Sequence, residues 1–333
     1  MFANFEENRM PLVDMTDMLH HAYCHGYAVG AFGVAGWDIL EGVIEAAEHL
    51  RAPIILSLSK SYPGAGGIES LAKAVIEMGQ RATIPVSFQV EVDNDPQLAE
   101  GAITTGCGGV VFNASSRLLP ENVALTKKVV NLAAPSGVLV VGQLGHLESV
   151  QPDDAAESAA GCPTSPLEAK HYVERSGVGC LAVSVSRMNG GGSKHDFPRL
   201  SKINQAVGIP LAIHGSAGFT DDQFRRLIRS GAAKVNYCEP LFEVAARRIR
   251  ENTLAPEGGY AGLVEGVREA ICIEAERCIR IWGCGGRAAE ILTQCRTWTP
   301  AVPGLDRKPA ETEASRAFND TGNAKVLFAR SRP

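Results

Sequence analysis

The sequence has no apolar run approaching the ~20 residues needed to span a bilayer, so no transmembrane anchor is expected. It has no excess of basic residues either. Its formal net charge is -5 with no basic stripe, which makes nucleic acid and anionic membrane surfaces unsuitable partners on electrostatic grounds. The N-terminal segment MFANFEENRMPLVDM is acidic and lacks an apolar core, so it does not read as a secretory signal peptide. No C-x-x-C pair occurs among nine cysteines, an odd number scattered through apolar segments, and this argues against a disulfide framework or a thiol redox motif. Cys107, Cys180 and Cys238 fall in or beside apolar runs. Reduced thiols packed in a core, and hence a cytoplasmic location, are the expectation. What is present is ordinary for a globular chain: 45% hydrophobic and 21% charged over 333 residues, enough for one large core.

Eight short apolar, β-branched runs recur: YAVGAFGV (27–34), APIILSLS (52–59), IPVSFQVE (84–91), GGVVFNAS (108–115), GVLVVGQLG (137–145), GCLAVSVS (179–186), IPLAIHGS (209–216) and AAKVNYCE (232–239). Near-continuous apolar runs mark strands covered on both faces, as in parallel sheets. Stretches such as DILEGVIEAAEHL and SLAKAVIEMGQ lie between them, with apolar residues at three- and four-residue steps. Eight such βα units predict an α/β fold, a closed (β/α)8 TIM barrel. Extra C-terminal helices follow in PLFEVAARRIREN and GLVEGVREAICIEAERCIRIW. Residues 1–290 are expected to form the barrel with these helices. Residues 291–333 are expected to be an irregular C-terminal tail, its composition turning aperiodic near Thr297; it is either disordered or a contact arm.

In such a barrel the site lies at the C-terminal ends of the strands. Ser59, Ser115 and His214-Gly215-Ser216 end their runs there. The longest connection, HLESVQPDDAAESAAGCPTSP, precedes a helix predicted to start near Ser165-Pro166, and is either a lid or disordered.

Order and spacing resemble the class II (zinc-dependent) fructose- and tagatose-bisphosphate aldolases over roughly residues 10–290. The matching pieces are PLVDMTDMLHHAYCHGYAVGAF, ENVALTKKVVNLA, QPDD, GCLAVSVS, IPLAIHGSAG and GAAKVN. The resemblance implies reversible cleavage of a ketose phosphate to dihydroxyacetone phosphate and an aldehyde. In that family a zinc ion held by three histidines polarises the ketone, an Asp after the third strand moves the proton, and backbone amides and hydroxyls after the last strands hold the phosphate.

Carried over residue by residue, most of that machinery is replaced. The family's HxDH is Gln89-Val90-Glu91-Val92, so Glu91 stands for the catalytic Asp and Val92 for a zinc histidine. The Glu-x-Glu of the fifth strand is Val141-Gly142-Gln143, and the zinc histidine after the sixth strand is Asn189, within NGGG with Gly190. His214 is the one retained zinc ligand. The usual three-histidine zinc site is therefore not expected; an atypical divalent-metal site through His146, His195 or Glu91 with His214 stays open. Gly215 and Gly218 persist, Ala217 replaces a hydroxyl beside Ser216, and Asn236 persists, but Cys238 and Glu239 follow it. An acidic side chain there repels phosphate. Ser59 matches a substrate-contacting serine, and Lys60 stands where the family commonly has Glu. Lys60 either replaces the metal's positive charge and pairs with Glu91, or forms an imine with the substrate; a plain exposed lysine is the alternative.

Other clusters have bland readings. Asp93-Asn94-Asp95 reads as a turn and N-cap for a helix from Pro96. His21, Cys24 and His25 share a helix face on the stability side of the barrel. NGGG either wraps an anion or is a flexible turn. The expectation is a divergent aldolase-type carbon–carbon lyase for a small polar carbonyl substrate. Glu91, Lys60 and His214 are its catalytic candidates; Ser59, Gln89, Gln143, Asn189, Gly190, Gly215, Ser216 and Asn236 are expected to position substrate. A homodimer or homotetramer is implied by the resemblance. The rival readings are a non-catalytic barrel that binds a metabolite or serves a partner, and a zinc ketose-bisphosphate aldolase with a rearranged metal site.

Overall fold

Each of the eight apolar runs coincides with one strand of the computed structural model, the third strand running two residues past its run; the structure describes residues 12–59, 67–145, 164–184, 186–189, 192–214, 218–254 and 258–300. The strands are β1 (Val29–Gly33), β2 (Ile54–Ser59), β3 (Val86–Asp93), β4 (Gly109–Asn113), β5 (Leu139–Leu144), β6 (Cys180–Ser184), β7 (Leu211–His214) and β8 (Ala232–Tyr237). All neighbours are parallel, and β8 pairs with β1 to close the barrel. The molecule is a (β/α)8 barrel. Its strands are buried almost throughout, which is why they read as continuous apolar runs.

The N-terminal end of the barrel is plugged. Helix Met15–His25 starts on Asp14, whose carboxylate accepts the Asp17 N–H at 3.0 Å, and ends at Gly26 in the left-handed region. Met15, Met18 and Leu19 on this helix are fully buried. A Cβ on Gly109, the first residue of β4, would lie 2.5 Å from the Met15 sulfur, so the plug sits against the strand start. His21 belongs to this packing: its Nδ1 lies 2.9 Å from the Tyr27 hydroxyl and its ring stacks on His25 at 3.9 Å. A catalytic centre is therefore confined to the opposite, C-terminal end.

The chain continues past residue 290 in regular structure. A short helix spans Ala288–Gln294, and Thr297–Trp298, which by composition fall in the tail, pair antiparallel with Leu12–Val13. The Trp298 indole N–H donates to the Gly106 carbonyl at 3.0 Å, and Arg296 pairs with Asp17 at 2.8 Å. These contacts tie the C-terminal segment to the plugged end. Residues 301–333 lie outside the described residues.

Outside the barrel, helix Val267–Trp282 packs on helix Trp37–Leu50 and against β1. Its last residue, Trp282, is fully buried among Phe32, Phe224 and Tyr237, with ring centroids at 5.6, 5.7 and 5.5 Å. Gly30 makes room for it: a Cβ there would come within 2.5 Å of both the Trp282 and Phe32 rings. Removing this side chain leaves a large cavity that the barrel wall cannot collapse into. Trp282→Ala is expected to cost about 3–5 kcal/mol, read as a lowered urea midpoint with unchanged denaturant slope; a midpoint equal to wild type would show that the cluster does not brace the barrel.

Candidate active site

Alternation decides which side chains enter the barrel. Tyr237 points outward, into the Trp282 cluster, so Lys234 and Asn236 on β8 point inward. Gly142 faces outward against Tyr172 of helix Pro166–Ser176, which turns Val141 and Gln143 inward. On β2 and β3 the inward set is fixed by its own bonds. The Gln89 amide donates to Ser57 Oγ at 2.9 Å, and Ser57 Oγ donates to Glu91 Oε1 at 2.9 Å. Register places Ser59 beside Glu91 at the strand ends. Across the barrel, the Asn236 amide nitrogen lies 2.9 Å from Nδ1 and 2.8 Å from Nε2 of His214, placed to donate to whichever nitrogen lacks a proton.

One group was not singled out from the sequence. Lys234 is fully buried on the inner wall, and its Nζ has no hydrogen-bond partner among the described residues. Gln89 Oε1 and Ser87 Oγ share that condition. The sequence signal was available: a lysine inside the apolar run AAKVNYC, two residues before Asn236 and therefore on the same face.

Burial sets the protonation of this cluster. Glu91 is pushed above the usual carboxylate range first by desolvation; the Ser57 hydrogen bond and the charge of Lys234 oppose this, and Glu239 and Asp93 add to it. Lys234 is lowered by desolvation, with Glu91 and the buried Cys180 and Cys238 thiols opposing. His214 is pushed down to about 3 by desolvation and by Lys234, so its imidazole is neutral at physiological pH. A neutral imidazole, a carboxylate of raised proton affinity and an amine of lowered proton affinity face a common interior.

The other residues expected at the mouth divide. Gln143 is buried at the end of β5, its carbonyl accepting from Asn122 at 3.1 Å. Asn189 ends a strand, Ser186–Asn189, that forms a hairpin with Gly192–His195. His195 lays its ring edge-on to Phe219 at 4.2 Å rather than joining His214. Lys60, His146, Gly190, Gly215 and Ser216 lie outside the described residues. Asp95 caps helix Pro96–Thr104 by accepting from Gln97 N at 2.9 Å, as the turn reading predicts, and Ser165 forms a capping box at the start of helix Pro166–Ser176.

Comparison with known proteins fixes the family. The family model described as "Fructose-bisphosphate aldolase class-II" matches residues 13–287. The chain belongs to the class II fructose-bisphosphate aldolase family. Relatives include YdjI of Escherichia coli K12, 31% identical over 268 residues that cover 79% of this chain and 94% of that protein. A protein of Bacillus subtilis named a probable fructose-bisphosphate aldolase is 32% identical, covering 75% and 90% respectively. The crystal structure of the YdjI aldolase superposes with a TM-score of 0.72 at 28% identity, covering 83% of this chain and 99% of that one. This member of the family is an aldolase-type lyase.

The described residues do not fit the zinc site that the family implies. Val92 offers no ligand atom and is buried at the position of a zinc histidine. Among the described residues, Glu91, His195 and His214 do not converge; three potential ligand atoms lie within 4.8 Å of one another only at His49, Cys272 and Glu276, outside the barrel.

The His214 shift has a measurable consequence. An unfolded chain protonates this histidine near its ordinary pKa of ~6.5, whereas the folded chain holds it neutral to about pH 3. Between these values the unfolded state binds more protons, so stability falls as pH drops. The urea midpoint is expected to decline between pH 7 and pH 5, and His214→Gln to flatten that decline; identical slopes would show that His214 is not held neutral.

Proposed function

We propose that this lyase cleaves and forms a carbon–carbon bond in a small polar carbonyl compound without the family's three-histidine zinc. The proposal also makes the substrate unphosphorylated. The observation that carries it is Lys234, a buried amine on the inner wall with no hydrogen-bond partner among the described residues, which acts electrostatically on Glu91 and His214. Desolvation favours the neutral amine, the form that adds to a carbonyl. The amine nitrogen attacks the carbonyl carbon, the carbinolamine takes up a proton from solvent and expels water, and an iminium remains. The iminium then accepts the electron pair of the breaking carbon–carbon bond as an enamine. Glu91 takes the proton of the β-hydroxyl as the aldehyde leaves and returns a proton to the enamine carbon; water then hydrolyses the resulting iminium, which frees the ketone product and the amine. Ser57 holds Glu91 in place through its 2.9 Å bond. Asn236 and neutral His214 offer hydrogen bonds to substrate hydroxyls. Ser59, Gln89 and Gln143 line the same interior. Asn189, Gly190, Gly215 and Ser216 are assigned to substrate positioning by the family resemblance. Glu239 starts helix Glu239–Asn252, and its charge reaches Glu91, which disfavours a phosphate at that edge. A cytoplasmic location and a homo-oligomer complete the reading.

The test is borohydride reduction of the full chain with dihydroxyacetone, followed by peptide mass mapping. Adduct on the Lys234 peptide is expected. Adduct on the Lys60 peptide would move the imine to the second-strand loop, and no adduct would overturn covalent catalysis. Lys234→Met is expected to melt no lower than wild type, since it replaces an unpartnered buried polar group with an apolar one, yet to lose trapping. A lowered melting temperature would mean that the ammonium has structural partners.

Glu91→Gln is expected to lower turnover at least ~10²-fold in an aldol-cleavage assay over a panel of ketoses with and without phosphate, while leaving borohydride trapping at Lys234 intact. Wild-type turnover from this variant would remove Glu91 from the chemistry.

A further inference from the structure

A second cluster lies outside the barrel, where helices Trp37–Leu50 and Val267–Trp282 run side by side. Gly42 sets their approach: a Cβ there would fall 2.7 Å from the Arg268 carbonyl oxygen and 3.0 Å from Ile271. Two turns further on, His49 meets the other helix. Its Nδ1 lies 2.9 Å from Glu276 Oε1 and 3.9 Å from Cys272 Sγ. Cys272 and Glu276 are four residues apart and so occupy one helix face. The three ligand atoms all lie within 4.8 Å of one another, the sole such triad among the described residues. Cys272 is 7% exposed, Glu276 is half-buried, and His49 is open to solvent, so the cluster is both packed and reachable.

We propose that His49, Cys272 and Glu276 form a site for a zinc-class divalent metal that clamps these two helices together. Nitrogen, sulfur and carboxylate oxygen are the donor set of tetrahedral zinc, and the thiolate selects against magnesium and calcium. Zinc bonds of about 2.0–2.3 Å give tetrahedron edges of roughly 3.3–3.7 Å. The two edges measured here, 2.9 and 3.9 Å, bracket that range, so small side-chain shifts would admit the ion. Three protein ligands leave the fourth position to water. The local charge favours a dication: Glu45, one turn before His49, adds a second carboxylate, although Arg268 at 3.4 Å and Arg280, 2.7 Å from Glu276, offset part of it. Burial and the Glu45 and Glu276 charges push the Cys272 thiol up to about 11, so metal binding displaces one proton from sulfur to solvent and tightens as pH rises. The site is separate from the chemistry at the barrel mouth and stands whether or not Lys234 forms an imine.

The experiment is Co2+ titration of the chelator-treated full chain, read by absorbance. One equivalent is expected to produce tetrahedral ligand-field bands and a near-ultraviolet sulfur-to-cobalt charge-transfer band. Cys272→Ser is expected to abolish the charge-transfer band, and Glu276→Gln and His49→Ala to weaken binding at least tenfold, while His214→Leu and Cys24→Ser leave the spectrum unchanged. Should Cys272→Ser fold poorly by circular dichroism, the wild-type chain supplies the second measurement: Zn2+ should slow alkylation of the Cys272 peptide and raise the melting temperature. Absence of the sulfur band in wild type, its persistence in Cys272→Ser, its loss in His214→Leu, or alkylation of Cys272 indifferent to Zn2+ would each overturn the proposal and leave His49–Glu276 as an ion pair only.

Discussion

Closure of the eight-stranded sheet is the constraint on which the rest depends. Once β8 pairs with β1, every second side chain is forced into an interior with little room and little water. Polar atoms there must bond to one another or face a ligand. The Gln89–Ser57–Glu91 relay and the Asn236–His214 contact follow the first course. Lys234 does not, since its Nζ has no partner among the described residues. A buried amine without a partner is costly in a resting structure, and such costs concentrate where chemistry is done. Because helix Met15–His25 seals the opposite end, the only direction left for that chemistry is the C-terminal mouth.

The same enclosure explains how a family member can change its electrophile without changing its fold. The strands hold their places through backbone ladders and through outward side chains such as Phe32 and Tyr237, which pack on Trp282 of the outer helix. Residues near the mouth are free to vary. Val92 removes a zinc ligand and adds only buried apolar area. Under the proposed reading, the charge lost with the metal is supplied at the moment of reaction by an iminium on Lys234, and Glu91 keeps the proton-transfer position of the family's aspartate. Desolvation, which would weaken an exposed lysine's claim to this role, strengthens that of a buried one.

The proposed metal site on the outer face follows a different rule. There a packed helix pair brings a histidine, a thiol and a carboxylate together through ordinary i, i+4 geometry and one glycine that permits close approach. Nothing in the barrel mechanism requires it, and its effect would be on the stability of helix packing rather than on catalysis.

The sequence by itself determined the barrel, because burial on both faces of parallel strands leaves a signature of eight continuous apolar runs that no surface requirement blurs. Fold rules placed Ser59 and His214 at strand ends near the mouth, and the family resemblance named Glu91, Gln89, Gln143 and Asn236 as their companions. The sequence also showed that Val92 and Asn189 break the zinc pattern. Only the tertiary structure decided what surrounds Lys234: its spacing from Asn236 gives its face, but not whether a partner meets its amine. It likewise separated His195 from His214 by seating the former on Phe219, folded Thr297–Trp298 onto Leu12–Val13, and joined His49 to Cys272 and Glu276. These pairings link residues up to 286 positions apart along the chain, as in Leu12 with Trp298, and depend on where the closed barrel places its helices, which local pattern does not encode.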